Sequence, residues 1–184
     1  MEEKFICLVE QTLDDAHGIF AKKSEDYGLN WRVYRLISII DQIFIKAKRV
    51  ETVTKNGYQK VNDVGDDIDK EFLGILNYSI MGRIQNMLGP ADSLKKLGLT
   101  AENAIAYHKD ISARFIDYVK SQNPYMIEQI EALEILEFAE QQKIKTQRMK
   151  SIYLKDRSKI VMFGGFSELM LWSIIGKRKF RKAL

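Results

Sequence analysis

Apolar residues return every three or four positions along nearly the whole of this chain, and the strict alternation of a half-buried strand is almost absent. Only two prolines, Pro90 and Pro124, interrupt the pattern. A chain written this way folds as an all-α protein, a helical bundle. The expected helices run over about Glu3–Lys22, Asn30–Val53 and up to Leu88, then over Thr100–Ser121, Pro124–Tyr153 and Gly165–Phe180. Gly28 suits a left-handed turn closing the first helix, and Asn30 suits an N-cap for the second. The acids Asp66, Asp67, Asp69 and Glu71 complement the N-terminal dipole of the third helix. Between the second and third helices, TKNGYQKVNDVGDD turns polar, and Asn56-Gly57 is a turn signal that suits a short polar loop or a small hairpin.

The order long, long, medium recurs, so two degenerate three-helix halves are an expected architecture, divided at 1–90 and 91–184. Tyr118, Lys120 and Tyr125 fall where Phe20, Lys22 and Tyr27 fall in the first half. Trp172-Ser173-Ile174-Ile175-Gly176 echoes Tyr78-Ser79-Ile80-Met81-Gly82. At 184 residues and 46% hydrophobic content, the chain buries a core without staples. Its one cysteine, Cys7, excludes an internal disulfide framework and reads as core filler in a reducing compartment. The opening MEEKF lacks the basic and apolar regions of a secretory signal, so a cytoplasmic location is expected. The stretch Ile160–Ile175 is broken by Gly164, Gly165, Ser167 and Glu168 and reads as a buried helix, with no membrane partner expected.

The net charge of +4 favours an anionic partner. The cluster Lys177, Arg178, Lys179, Arg181 and Lys182 contributes more than the whole excess and reads as a solvated tail, with nucleic acid as one partner it would suit. On a helical wheel of the second helix, Val33, Ile37, Ile40, Phe44 and Ala47 form the core stripe. Arg32, Arg35, Ser38, Gln42, Lys46 and Arg49 lie roughly opposite, with Asp41 at their flank. Four aligned cations repel one another unless an anion sits against them, and the arginine fork suits phosphate oxygens. The plain alternative is a solvated helix face. In the third helix, Glu71, Gly74, Tyr78 and Gln85 share a face, and Asn77 and Tyr78 stand inside an apolar run where they need hydrogen-bond partners. No two acids at i and i+3 or i+4 form a metal clamp on one helix, and His17 and His108 are isolated in sequence.

The ordered strings KKxxDYGxxWRxxR, SIIDQIFIKAKRV and EFLGILNYSIM run from Lys22 to Met81 and resemble the nucleotide modification associated domain 1 family. The resemblance covers about half of the chain. The second half lacks the DYG, WR and NY elements, so one working site is expected. The pattern is more loosely similar to all-α nucleoside triphosphate pyrophosphohydrolases of the MazG type, without their paired ExxE and ExxD motifs. Gly74 stands where related domains would offer an acid. The resemblance implies a nucleotide-handling protein in modified-nucleotide metabolism, with magnesium-dependent hydrolysis of triphosphates as the expected chemistry.

In that reading Lys23, Arg32, Arg35, Lys46 and Arg49 bind substrate, chiefly its phosphates. Tyr27, Trp31 or Tyr78 stacks on the base, and Asn77 also binds substrate. Asp26, Asp41 and Glu71 hold magnesium, with Asp41 and Glu71 catalytic. Two rivals come from other classes. One is a non-catalytic module that binds nucleic acid or protein. The other is an internal ion-pair network with Asp41 and Arg35 as partners. A homo-oligomer is expected.

Overall fold

The computed structural model describes residues 3–57 and 68–183, with backbone alone for 182 and 183. Among them are seven α-helices and no strand: α1 (Glu3–Tyr27), α2 (Leu36–Lys55), α3 (Ile68–Leu88), α4 (Ala101–Ser121), α5 (Pro124–Ala132), α6 (Ile135–Lys155) and α7 (Lys159–Ala183). A 3₁₀ turn, Asn30–Val33, precedes α2. The all-α bundle read from the sequence is therefore the fold.

α1 buries Phe5, Val9, Leu13, Ala16 and Phe20, the stripe its periodicity predicts. It runs five residues past Lys22 before Gly28, at φ 68°, turns the chain left-handed. Cys7 lies on the opposite face from Phe5 and Val9 and is exposed, not core filler.

The expected single helix from Asn30 to Val53 is instead the 3₁₀ turn, an extended pair Tyr34–Arg35, and α2. Gln85 of α3 explains the break. Its Nε2 donates to the carbonyls of Arg32 (2.9 Å) and Tyr34 (2.6 Å), and the amide of Ala91 donates to Arg32 as well (2.7 Å). Carbonyls taken from outside are poorly placed to accept an i→i−4 ladder. Asn30 consequently caps nothing, and Arg35 is the N-cap residue of α2. The buried stripe of α2 is Leu36, Ile39, Ile40, Ile43, Ala47 and Val50, turned slightly from the predicted one. Val33, Ile37 and Phe44 are only half-buried.

Asn56-Gly57 forms the expected turn, with Gly57 at φ 62°. The hairpin expected beyond it, with Asp66 and Asp67, lies outside the described residues. The expected helix from Pro124 to Tyr153 is two, parted at Leu133 and Glu134, whose ψ angles of 142° and 153° are extended. α7 starts at Lys159, before the glycines at 164 and 165, because neither is at its end: Gly165 packs against Met149 inside the helix pair.

Helices in corresponding places pack on one another: α3 on α7 most extensively, α2 on α6, and α1 on α4. Their buried positions keep one register. Val9, Ala16 and Phe20 answer to His108, Phe115 and Val119, while Ile39, Ile43, Ala47 and Val50 answer to Phe138, Gln142, Thr146 and Met149. That register sets Val119, not Tyr118, opposite Phe20. Between α3 and α7 the contacts are reciprocal. A Cβ on Gly82 would lie 2.3 Å from the Phe166 ring, and one on Gly176 would lie 2.3 Å from the Phe72 ring. Residue i meeting j while the equivalent of j meets the equivalent of i is the geometry of a twofold pair.

α7 has the length and composition of a membrane-crossing helix, but 61% of its apolar window is buried inside the bundle. Most of its basic end is tied into the fold and is not a solvated tail. Lys177, buried, pairs with Asp15 at 2.8 Å; Arg178 pairs with Glu131 at 2.8 Å; Lys179 donates to the Glu131 carbonyl at 2.8 Å; Arg181 pairs with Asp69.

Candidate functional site

α1, the 3₁₀ turn, α2 and α3 enclose a cavity of about 550 Å³, lined by residues from Ile19 to Met81. Three features build it. Gly28 ends α1 and sends the chain across its mouth, so that Tyr27, Asn30, Trp31 and Tyr34 form one wall. The Gln85 contacts hold that wall on α3. Gly74 then leaves room on α3 for a side chain from α2: a Cβ there would stand 2.5 Å from Cε of Lys46. The Lys46 stem crosses this gap and its Nζ meets Glu71 at 3.1 Å.

Of the residues singled out by sequence, Lys23, Tyr27, Trp31, Lys46, Glu71, Asn77 and Tyr78 line this cavity together. Arg32, Arg35, Arg49, Asp26 and Asp41 do not. Arg32 is buried on the 3₁₀ turn, donating to Gln85 and to the Gly89 carbonyl (2.8 Å), so it pins the wall instead of facing a ligand. Burial pulls its pKa below the usual arginine value. Arg35 is exposed at the start of α2. Arg49 pairs with Glu71 at 3.1 Å. Asp41 is tied to Lys150 of α6 at 2.6 Å, not to Arg35, and both partners are about two-fifths exposed. Asp26 is exposed near the end of α1.

The carboxylates read as magnesium ligands are thus spread over separate places. Among the described residues no three His, Cys, Asp or Glu side chains group to hold a metal. Among the described residues Glu71 is the one carboxylate lining the cavity, and two cations already contact it. The described side chains do not make a magnesium clamp.

The fold adds residues that sequence reading missed. Lys70 joins Lys23 and Lys46 as a third lining cation, and Tyr34 joins the aromatic wall. Lys70 is one of many exposed lysines, and only the fold distinguishes it. The Tyr78 hydroxyl is pushed above its usual pKa, first by burial and then by Tyr34. Trp31 is buried in the cavity wall, and its Nε1 has no hydrogen-bond partner among the described residues. His17 and His108, isolated in sequence, face each other at 3.2 Å, and His108 reaches Asn77 at 2.8 Å.

The chain is thus a helical bundle whose first half holds an aromatic-walled cavity with lysines in its lining. Residues 23–86 match the family described as nucleotide modification associated domain 1, as the sequence resemblance led one to expect. The matched segment contains every residue lining the cavity except Ile19 and Phe20. No curated protein and no solved structure matches the chain.

Proposed function

We propose that this cavity binds a nucleotide, with its phosphates at Lys23, Lys46 and Lys70 and its base among Tyr27, Trp31, Tyr34 and Tyr78. The observation that carries the reading is the convergence of three cations and five aromatic rings, Phe20 among them, on one cavity of nucleotide size. Cations and ring faces on one cavity match the two chemistries of a nucleotide, since phosphate needs charge and a base needs stacking surface. The Asn77 amide, in the cavity lining, supplies a donor for a base or sugar oxygen. The family match over residues 23–86 supports a place in nucleotide modification.

Hydrolysis is a separate matter. Lys46 and Arg49 hold Glu71, and the other acids of the expected set lie elsewhere, so the described residues support binding and not a magnesium-dependent step. The described cations at the basic end of α7 pair within the chain, which favours the cavity over that end as the anion site.

The test is calorimetric titration with the common ribo- and deoxyribonucleoside triphosphates and with base-modified analogues, alongside a phosphate and pyrophosphate release assay with magnesium or manganese. Saturable binding that Lys46→Ala weakens by about tenfold or more, the scale of one charged hydrogen bond, is the expected result. Absence of binding across the panel overturns the reading. Metal-dependent release would raise it to hydrolysis.

A further inference from the structure

The polar groups behind the cavity form a chain that crosses between the two halves. Asn77 of α3 donates from Nδ2 to the Ala16 carbonyl at 3.0 Å, which turns its Oδ1 toward His108 of α4. An oxygen there, 2.8 Å from His108 Nε2, requires a proton on that nitrogen. Nδ1 of His108 is then the bare nitrogen and accepts from Nδ1 of His17 at 3.2 Å. Phe20, itself a cavity wall, stacks on the His108 ring with centroids 4.6 Å apart.

Packing alone does not call for these groups. In the register of the paired helices, His108 answers to Val9. In the register that sets Gly82 opposite Gly176, Asn77 answers to Leu171. Both counterparts are buried and apolar. Burying a polar pair where aliphatic side chains serve elsewhere costs desolvation, so its retention beside the cavity calls for a use.

We infer that His108, contributed by the half that the family match does not reach, is a positioning residue of the cavity. As its Nε2–H tautomer, it fixes the Asn77 amide so that the second Nδ2–H is offered to an oxygen or nitrogen acceptor on the ligand's base or sugar. This inference rests on the nucleotide reading of the cavity. His108 stays neutral in this role, because burial, and then His17, lower its pKa to about 3.

The test has two arms on the full chain. The first needs no ligand: long-range ¹⁵N–¹H NMR of the histidine rings. A protonated Nε2 and bare Nδ1 on His108 are expected, together with an Asn77 side-chain amide that shifts in His108→Leu. The opposite tautomer, or an unmoved amide, overturns the inference. The second arm measures affinity for the tightest-binding triphosphate of the panel in His108→Leu and His108→Gln, each first shown by melting to be folded. Leucine is expected to weaken binding about tenfold and glutamine, which restores a donor, to keep it within about threefold. Equal loss in both variants, with unchanged melting, overturns the role. If the wild type binds no triphosphate, the nucleotide reading fails, and the NMR arm alone decides the orientation of Asn77.

Discussion

The cavity of the first half and the groove that answers to it in the second are built on the same helical frame and carry opposite chemistry. Each has a lysine from its second long helix bound to a glutamate of its last helix: Lys46 with Glu71 at 3.1 Å, and Lys145 with Glu168 at 2.6 Å. Each has an aromatic residue at the matching place, Tyr78 or Trp172. The cavity adds Lys23 and Lys70, whereas the groove adds Glu128, Glu134 and Glu137. Lys46 passes through the gap at Gly74 into the cavity, while Lys145 lies over the Trp172 ring at 4.8 Å. The cationic lining is thus set by a few side chains on a frame that does not itself favour it.

The largest expected effect concerns the relay, which one half has and the other lacks. His108 has a folded pKa of about 3 against 6.5 in an unfolded chain, so the unfolded state takes up its proton first as pH falls. Its contribution is fully present above pH 6.5 and is lost toward pH 3, at a limiting slope of about 1.4 kcal/mol per pH unit. Urea melts between those limits should give a steeper pH slope in the wild type than in His108→Leu, by up to this amount. An equal slope in both would place the titration elsewhere.

The reciprocal packing of α3 and α7 is open to a matched pair of substitutions. Gly82→Ala and Gly176→Ala each drive a methyl into a phenylalanine ring, and each should cost about 1–3 kcal/mol. For a chain of this size that is a loss in Tm of roughly 2–4 °C per kcal/mol. A silent substitution at one of the two sites would break the twofold correspondence.

The smallest effect belongs to Asp41. Its pair with Lys150 is solvent-accessible on both sides, so Asp41→Ala should change stability by less than about 1 kcal/mol and leave nucleotide affinity unaltered. A large loss of affinity would return Asp41 to the site from which the structure separates it.

The fold class was legible because helical periodicity is a local property, and the buried face of α1 follows directly from it. The break at Tyr34–Arg35 was not, because the side chain that causes it, Gln85, lies some fifty residues away. Seven of the singled-out residues do line one cavity, since Lys23, Tyr27 and Trp31 are close in the chain and Lys46, Glu71, Asn77 and Tyr78 sit on the two helices facing them. The cations of α2 misled: one face on a straight wheel holds Arg32 and Lys46 together, but the 3₁₀ turn takes Arg32 off that wheel and buries it. His17 and His108 carried no sequence signal, as their partnership exists only through the packing of α1 on α4.

The central claim is that one half binds the nucleotide and the other does not. The most direct measurement is a calorimetric titration of the tightest-binding triphosphate into wild type, Lys46→Ala and Lys145→Ala. One site per chain, weakened about tenfold or more by Lys46→Ala and within about twofold of wild type in Lys145→Ala, is the predicted result. Two sites per chain, or a loss on replacing Lys145 with Lys46 left intact, would contradict it.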